Sequence, residues 1–360
     1  MIPYDTPQAI ITTIIPTYRR PKLLGRAIRS VLNQTYPHFK VCVYDNASGD
    51  ETAEIVSEIA KHDSRVSYFC HKENIGLVNN FIYGMKHVET PFFSFLSDDD
   101  VLLPWFFEVV MRGFEKFPQA IFSAGETIPV SSNGKIINTP LSEWAREGYY
   151  APPEGLFSMI GKNCPLWTAI LFRKEIIENI GLLDQEIGYP MDLDYELRSA
   201  ARFPFVIIKR PCAIFSVVAD NSSIAHILGD EQFIKYGYLK IIKNLKENEF
   251  LPVDVRINAT EKLVVWLREI FFWGGVMFIK ENKIETAYNV AGALYSGLNS
   301  KKYAIALFTL AWFRHYFSLG YYVFVMLNKS RKLFIFNKKN TVASKELQKQ
   351  YGYYAGFLNM

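Results

Sequence analysis

Apolar and polar positions follow two rhythms along this chain, and the switch between them marks its elements. Ile10–Ile15 is an unbroken, β-branched run ended by Pro16, the pattern of a buried strand. Leu23, Leu24, Ala27, Ile28, Val31 and Leu32 then recur at helical spacing, and Pro21 suits a helix start. The alternation continues with strands at Phe39–Tyr44, Val66–Cys70 and Phe92–Leu96, and helices at Glu51–Ala60 and Val78–His87. It predicts an α/β fold, with a mostly parallel central sheet flanked by helices.

In such sheets, ligands bind outside the carboxyl ends of the strands. Thr17-Tyr18-Arg19 follows the first strand, Asp45-Asn46 the second and Asp98-Asp99-Asp100 the fourth, so one cleft accounts for all three. Around Gly125–Pro153, Gly, Pro, Ser and Asn predict a long loop over that cleft. Order resumes at Trp167–Phe172 and Phe205–Phe215, and from Glu231 the pattern is helical with no repeat period.

With 360 residues, the chain accommodates one large α/β domain plus an appendage, at about 100–200 residues per domain. A hydrophobic fraction of 49% excludes general disorder. A net charge of +4, with no DNA-binding motif beside it, gives no nucleic-acid partner. Cys42, Cys70, Cys164 and Cys212 form no C-x-x-C pair and read as reduced structural thiols, consistent with the cytosol. The N-terminus lacks the basic and apolar regions of a secretory signal.

Asp98, Asp99 and Asp100 repel one another unless positive charge offsets them. A hard divalent cation does so, and also bridges to phosphate oxygens. A solvated acidic turn accounts for an isolated triplet, but the apolar strand before it and Pro104 after it favour the cation.

The chain resembles the family 2 glycosyltransferases of GT-A fold. The likeness is carried by Ile14–Tyr18, Ser30–Pro37, Asp45-Asn46-Ala47-Ser48-Gly49-Asp50, Asn74-Ile75-Gly76 and Leu96–Pro104, and extends over about residues 9–215. The resemblance implies a GT-A catalytic domain over residues 1–228, with a donor half at about 9–124 and an acceptor half at about 125–228. A helical region at 229–360 follows.

By the same resemblance, Pro16, Thr17, Tyr18, Asp45, Asn74, Gly76, Asp98 and Asp99 bind a nucleotide-sugar carrying UDP, GDP, CDP or dTDP. Asp45 would accept from the base, and Asp99 would hold Mn²⁺ or Mg²⁺ with Asp100 in support. Ser97 stands where many members have Asp.

Asp192 matches the family's general base for the acceptor hydroxyl, a role suited to a carboxylate because an alcohol is a poor nucleophile at neutral pH. Met191 replaces the customary acid before it, and Asp194 is a candidate substitute. Capping of the following helix is a second role open to Asp192. Trp167 suits either a sugar face or the core, and His226 either a ligand site or a plain loop.

After Asn299 the chain holds ten Lys/Arg residues and one acid, Glu346, among many aromatics. That mixture suits an interfacial helix on an anionic membrane, or a buried helical subdomain with a basic outer face. The implied reaction is an inverting transfer to a glycan hydroxyl at the cytoplasmic face of the inner membrane. The implied acceptor is polyprenyl-diphosphate-linked, as in O-antigen or capsule assembly. The alternatives are a silent sugar-nucleotide-binding scaffold and a processive synthase; the Gln-x-x-Arg-Trp motif of the synthases is missing here.

Overall fold

Among the described residues, nine strands form one mixed sheet: β1 (Ile11–Thr17), β2 (Phe39–Asp45), β3 (Val66–Cys70), β4 (Phe92–Phe95), β5 (Val101–Leu102), β6 (Phe122–Ser131), β7 (Gly148–Tyr150), β8 (Ile170–Arg173) and β9 (Phe205–Val217). The computed structural model describes residues 9–161, 164–217, 231–316 and 345–359. It divides into two units: 1–185, 195–217 and 351–360 in the first, 186–194 and 218–350 in the second.

In the first unit the strand order is β3-β2-β1-β4-β8-β6-β9-β5, with β7 beside β9. β3, β2, β1 and β4 run parallel, whereas β8 is antiparallel to both β4 and β6. The order reverses at β1, which lies between β2 and β4, so the carboxyl ends of these three strands meet at a topological switch point.

Helix α1 (Pro21–Leu32) presents Leu24, Ala27, Ile28 and Val31, all fully buried, to the core shared with Ile11 and Ile15. Each buried large aliphatic contributes about 1.5–3 kcal/mol against exposure. Helices α2 (Thr52–His62), α3 (Leu77–Lys86) and α4 (Phe106–Lys116) complete the donor half. Gly84 of α3 lets the helix approach β1, since a Cβ there would meet the Ile14 side chain at 2.5 Å. Short helices α5 (Glu154–Met159) and α6 (Glu175–Ile180) precede α7 (Met191–Arg202), whose first four residues belong to the second unit.

Two sequence expectations change. Pro16 does not end β1, whose pairing with β2 continues through Pro16 and Thr17. The β4 ladder has already stopped at Ile14, so the missing N–H of Pro16 is tolerated. Nor is Gly125–Pro153 one long loop. Residues 125–131 continue β6 beside β9, with register shifts at Glu126, and Thr127, Ile128 and Val130 are buried. Gly125 and Pro129 obscured a strand that its β-branched residues support.

The second unit contains α8 (Glu231–Lys246), α9 (Val253–Lys280), α10 (Ile284–Ser296) and α11 (Lys301–Tyr316). Ala259, Leu263, Leu267, Phe271 and Gly275 of α9 are buried at four-residue spacing. Among the described residues, no helix is long and apolar enough to cross a membrane.

Candidate active site

The ends of β1, β2 and β4 are tied together by hydrogen bonds. Asn46 N donates to the Thr17 carbonyl at 3.0 Å, and Thr17 Oγ1 donates to Asp98 Oδ2 at 2.8 Å. The loops after β2 and β3 are joined too: Asn46 Nδ2 donates to Asn74 Oδ1 at 2.8 Å, and Ile75 N to Asn46 Oδ1 at 2.8 Å. Gly76 N also donates to Asn74 Oδ1, at 2.9 Å. Gly76 has φ +84, a backbone suited to glycine, and turns the chain into α3.

Asp98 and Asp99 converge on Arg20, whose Nη1 lies 3.2 Å from Asp98 Oδ1 and 2.9 Å from Asp99 Oδ2. Burial pushes the Asp98 carboxyl up to about 6, against the pull of Arg20 and Thr17 and with a smaller push from Asp99. Asp100 points elsewhere. It is fully buried, and its carboxylate accepts Ser216 N at 2.9 Å and Thr168 Oγ1 at 2.7 Å. Burial, then the charge of Asp99, raises it well above the ordinary carboxylate range.

Behind the aspartates lies Arg26 of α1, absent from the sequence-based candidates. Its Nη2 donates to the Asp99 carbonyl at 2.6 Å and to Ser216 Oγ at 3.3 Å, and its Nη1 to the Leu358 carbonyl at 2.8 Å. Within the first unit, the segment Gly352–Asn359 thus packs beside α1, and its Tyr354 and Phe357 meet the Trp105 ring. An arginine on a surface helix ordinarily reads as a solvated charge, so nothing in its sequence context marks it.

The Ser30–Pro37 stretch acts as a splint. Gln34 Nε2 donates to the Leu103 carbonyl at 2.7 Å, Gln34 Oε1 accepts Phe107 N at 3.0 Å, and Ser30 Oγ accepts Leu102 N at 3.1 Å. These contacts fix the backbone that leaves the aspartate run.

Asp45 is buried at the end of β2. Its Oδ1 accepts Ser48 N at 3.0 Å and Ser48 Oγ at 2.5 Å, and its Oδ2 accepts Tyr68 OH at 2.6 Å. A thiol contact from Cys70 at 3.7 Å takes the remaining direction, the weakest of the four. Tyr18 is partly exposed, and Arg19 beside it has φ +55. None of the four thiols is in a disulfide; Cys42 and Cys212 are buried, Cys164 is intermediate and Cys70 is exposed, so the structural-thiol reading fits two of them fully.

Trp167 belongs to the core. Its ring stacks on Phe95 at 4.4 Å, with Phe172 and Tyr195 at its edges. His226 lies outside the described residues.

In the second unit, Asp192 lies inside the first turn of α7 rather than at its cap, and its Oδ1 accepts Leu193 N at 2.8 Å. Burial raises its carboxyl above the ordinary range. Asp194 is buried and accepts Asn244 Nδ2 at 3.0 Å. Among the described residues, no group of three or more His, Cys, Asp or Glu side chains is arranged to hold a metal by itself. The hard oxygens of Asp98 and Asp99, which share one cationic partner, nevertheless have the donor chemistry of a divalent-cation site completed by phosphate.

Comparison with known proteins agrees with this geometry. Residues 12–181 match the model of Glycosyl transferase family 2. The GalNAc(5)-diNAcBac-PP-undecaprenol β-1,3-glucosyltransferase of Campylobacter jejuni is 33% identical over 245 residues, covering 66% of this chain and 74% of that one. An uncharacterized glycosyltransferase of Rickettsia typhi is 28% identical over 294 residues, 81% of this chain and 86% of its own.

Among solved structures, S. aureus TarS 1–349 in complex with UDP superposes with a TM-score of 0.62 at 14% identity, covering 84% of this chain and 89% of that one. The mannosyltransferase PcManGT of Pyrobaculum calidifontis, in complex with GDP-Man and Mn²⁺, gives 0.53 at 15% identity, covering 95% of this chain and 87% of that one. At these identities both likenesses concern the fold alone. The strand-end constellation, the matched family model and the Campylobacter relative together make this chain a glycosyltransferase of family 2 with the GT-A fold.

Proposed function

We propose that the chain transfers a sugar from a nucleotide-sugar to a glycan hydroxyl by a single inverting displacement. The observation that carries this reading is the convergence of Thr17, Asp98, Asp99 and Arg20 at the switch point, with Asp45 and the Asn46–Asn74 bridge alongside. Pro16, Thr17 and Tyr18 line the nucleoside, and the base N–H takes the place of the weak Cys70 contact on Asp45. Asn74 and Gly76 shape the loop beside it.

Asp99, helped by Asp98, would hold Mn²⁺ or Mg²⁺, which supplies charge stabilisation for the departing nucleoside diphosphate. Asp100 keeps the run in place through Thr168 and Ser216. Arg20 is suited to exchange its carboxylate partners for the diphosphate, since guanidinium pairs well with both. Asp192 takes the proton of the acceptor hydroxyl, and burial raises its affinity for protons, as a general base requires. Asp194, buried against Asn244, orients that turn.

The Campylobacter relative is named for a lipid-linked acceptor, and GgaB of Bacillus subtilis, 26% identical over 269 residues, for minor teichoic acid biosynthesis. Together with the basic tail, these names support a polyprenyl-diphosphate-linked acceptor in cell-surface polysaccharide assembly. The reaction then belongs at the cytoplasmic face of the membrane. Asp192→Asn tests the chemistry: kcat should fall by about 100- to 10,000-fold while nucleotide binding is retained. Transfer at the wild-type rate would remove Asp192 from the base role.

A further inference from the structure

We propose that the outer face of α11 (Lys301–Tyr316) is a docking surface for an anionic lipid bilayer. On this helix Ala304, Leu307 and Ala311 are buried within the helical unit. The solvent-facing side next to them carries Lys301, Ile305, Phe308, Trp312 and Tyr316, at spacings of four, three, four and four residues, which place them in one stripe. Ile305 and Tyr316 are each 62% exposed, Phe308 54% and Trp312 40%. Four large apolar or aromatic side chains aligned on a solvent-facing helix are more than the scattered exposure of an ordinary surface.

The charges indicate which partner the stripe fits. The helix carries Lys301, Lys302 and Arg314 and no acidic residue. Near its carboxyl end is a groove of about 530 Å³, lined by Lys283, Glu285, Arg314 and His315 among others. From residue 300 onward the chain has ten basic residues against one acid. Two copies of a helix that carries three basic residues and no acid would repel each other, whereas anionic headgroups attract it. Trp and Tyr rings at the end of the stripe suit the headgroup level, where an apolar body and a polar tip are both accommodated. A helix face that mixes large apolar or aromatic side chains with basic charge suits the interfacial plane of an anionic bilayer. On α9, Ile270, Trp273 and Met277 form a second exposed apolar strip, followed by Lys280.

This inference deepens the proposed lipid-linked acceptor, since it brings the enzyme to the surface that displays it. It is read without donor, acceptor or turnover, so failure of the transferase reading and failure of docking remain distinguishable. The test is sedimentation of the full chain with vesicles of phosphatidylcholine alone and of phosphatidylcholine mixed with phosphatidylglycerol.

Binding should favour the mixed vesicles by about tenfold and weaken with salt. Ile305→Ser with Phe308→Ser should reduce it to the neutral-vesicle level, with the helical circular dichroism unchanged. Lys301→Glu with Lys302→Glu, two exposed positions outside the core, should weaken it by about tenfold and so tests the idea even if the apolar variant misfolds. Wild-type protein that ignores both vesicles, or charge-reversal protein that binds as wild type, overturns the proposal. So does a wild-type dimer that the apolar variant dissociates, which would assign the stripe to a second copy.

Discussion

Arg20 Nη1 lies 2.9 Å from Asp99 Oδ2, a charge-assisted bond at the mouth of the aspartate run. The arginine side chain is 37% exposed, so solvent screens the pair and its loss should cost well under about 1 kcal/mol of stability. Its effect on binding should be larger and of two signs. Arg20→Ala should bind Mn²⁺ alone more tightly, because a competing cation is gone, and bind UDP about tenfold more weakly, because a diphosphate partner is gone. Isothermal titration measures both; equal UDP affinity would remove Arg20 from the donor site.

Asp99 and Asp100 are neighbours with opposite sensitivities. Asp100→Asn can keep both bonds, its carbonyl accepting Ser216 N and its amide donating to Thr168 Oγ1, and should leave stability within about 1 kcal/mol. Asp100→Ala strands both partners and should cost about 1–3 kcal/mol. Asp99→Asn should unfold at the wild-type temperature yet lose the metal-dependent part of nucleotide binding. Denaturation curves with and without Mn²⁺ and UDP separate these cases. Loss of that part in Asp100→Asn with retention in Asp99→Asn would reverse the assignment.

Burial holds the Asp98 carboxyl at about 6, above its ordinary 3.8. Between those values the folded chain binds the proton more fully than the unfolded chain. The stabilising contribution of this group is therefore complete below 3.8 and is lost as pH rises through 6. The same proton competes with a cation for the carboxylate. Affinity for UDP with Mn²⁺ should accordingly decline below pH 6, by up to about tenfold per unit, and Asp98→Asn should flatten that slope. Titrations between pH 5 and pH 8, about one unit below and two above the midpoint, resolve it. A flat wild-type profile contradicts a cation at Asp98.

Gly76 precedes α3 at φ +84, and its N–H bonds the Asn74 oxygen that also receives Asn46 Nδ2. A side chain there meets open space but a strained backbone, so Gly76→Ala should cost about 1–3 kcal/mol. Through the Asn46–Asn74 bridge it should raise the donor KM more than it lowers kcat. A lowered kcat with an unchanged KM would separate this loop from donor binding.

The donor half was legible because local and global signals agree there. Pro21 opens α1, apolar periodicity fixes its buried face, and the polar residues follow the strands that place them. The acceptor half was less legible. Its strand β6 is interrupted by Gly125 and Pro129, and pairs with a β9 more than 70 residues away. The division of labour in the aspartate run depends on Thr168 and Ser216, whose sequence neighbours carry no sign of Asp100. Arg26 and Tyr68 are likewise defined only by what the fold brings to them. Trp167 could not be assigned from composition, because core and sugar platform ask for the same ring; stacking on Phe95 decides for the core.

The central claim is that Asp98 and Asp99 form the diphosphate end of a nucleotide-sugar site. Its most direct measurement is thermal unfolding with UDP-, GDP-, CDP- and dTDP-sugars, each with and without Mn²⁺. One nucleotide class should raise Tm by several degrees, about 2–3 kcal/mol at a hundredfold excess over Kd, only with the metal and not in Asp99→Asn. No stabilisation by any of the four, or the same stabilisation in Asp99→Asn, would contradict the account.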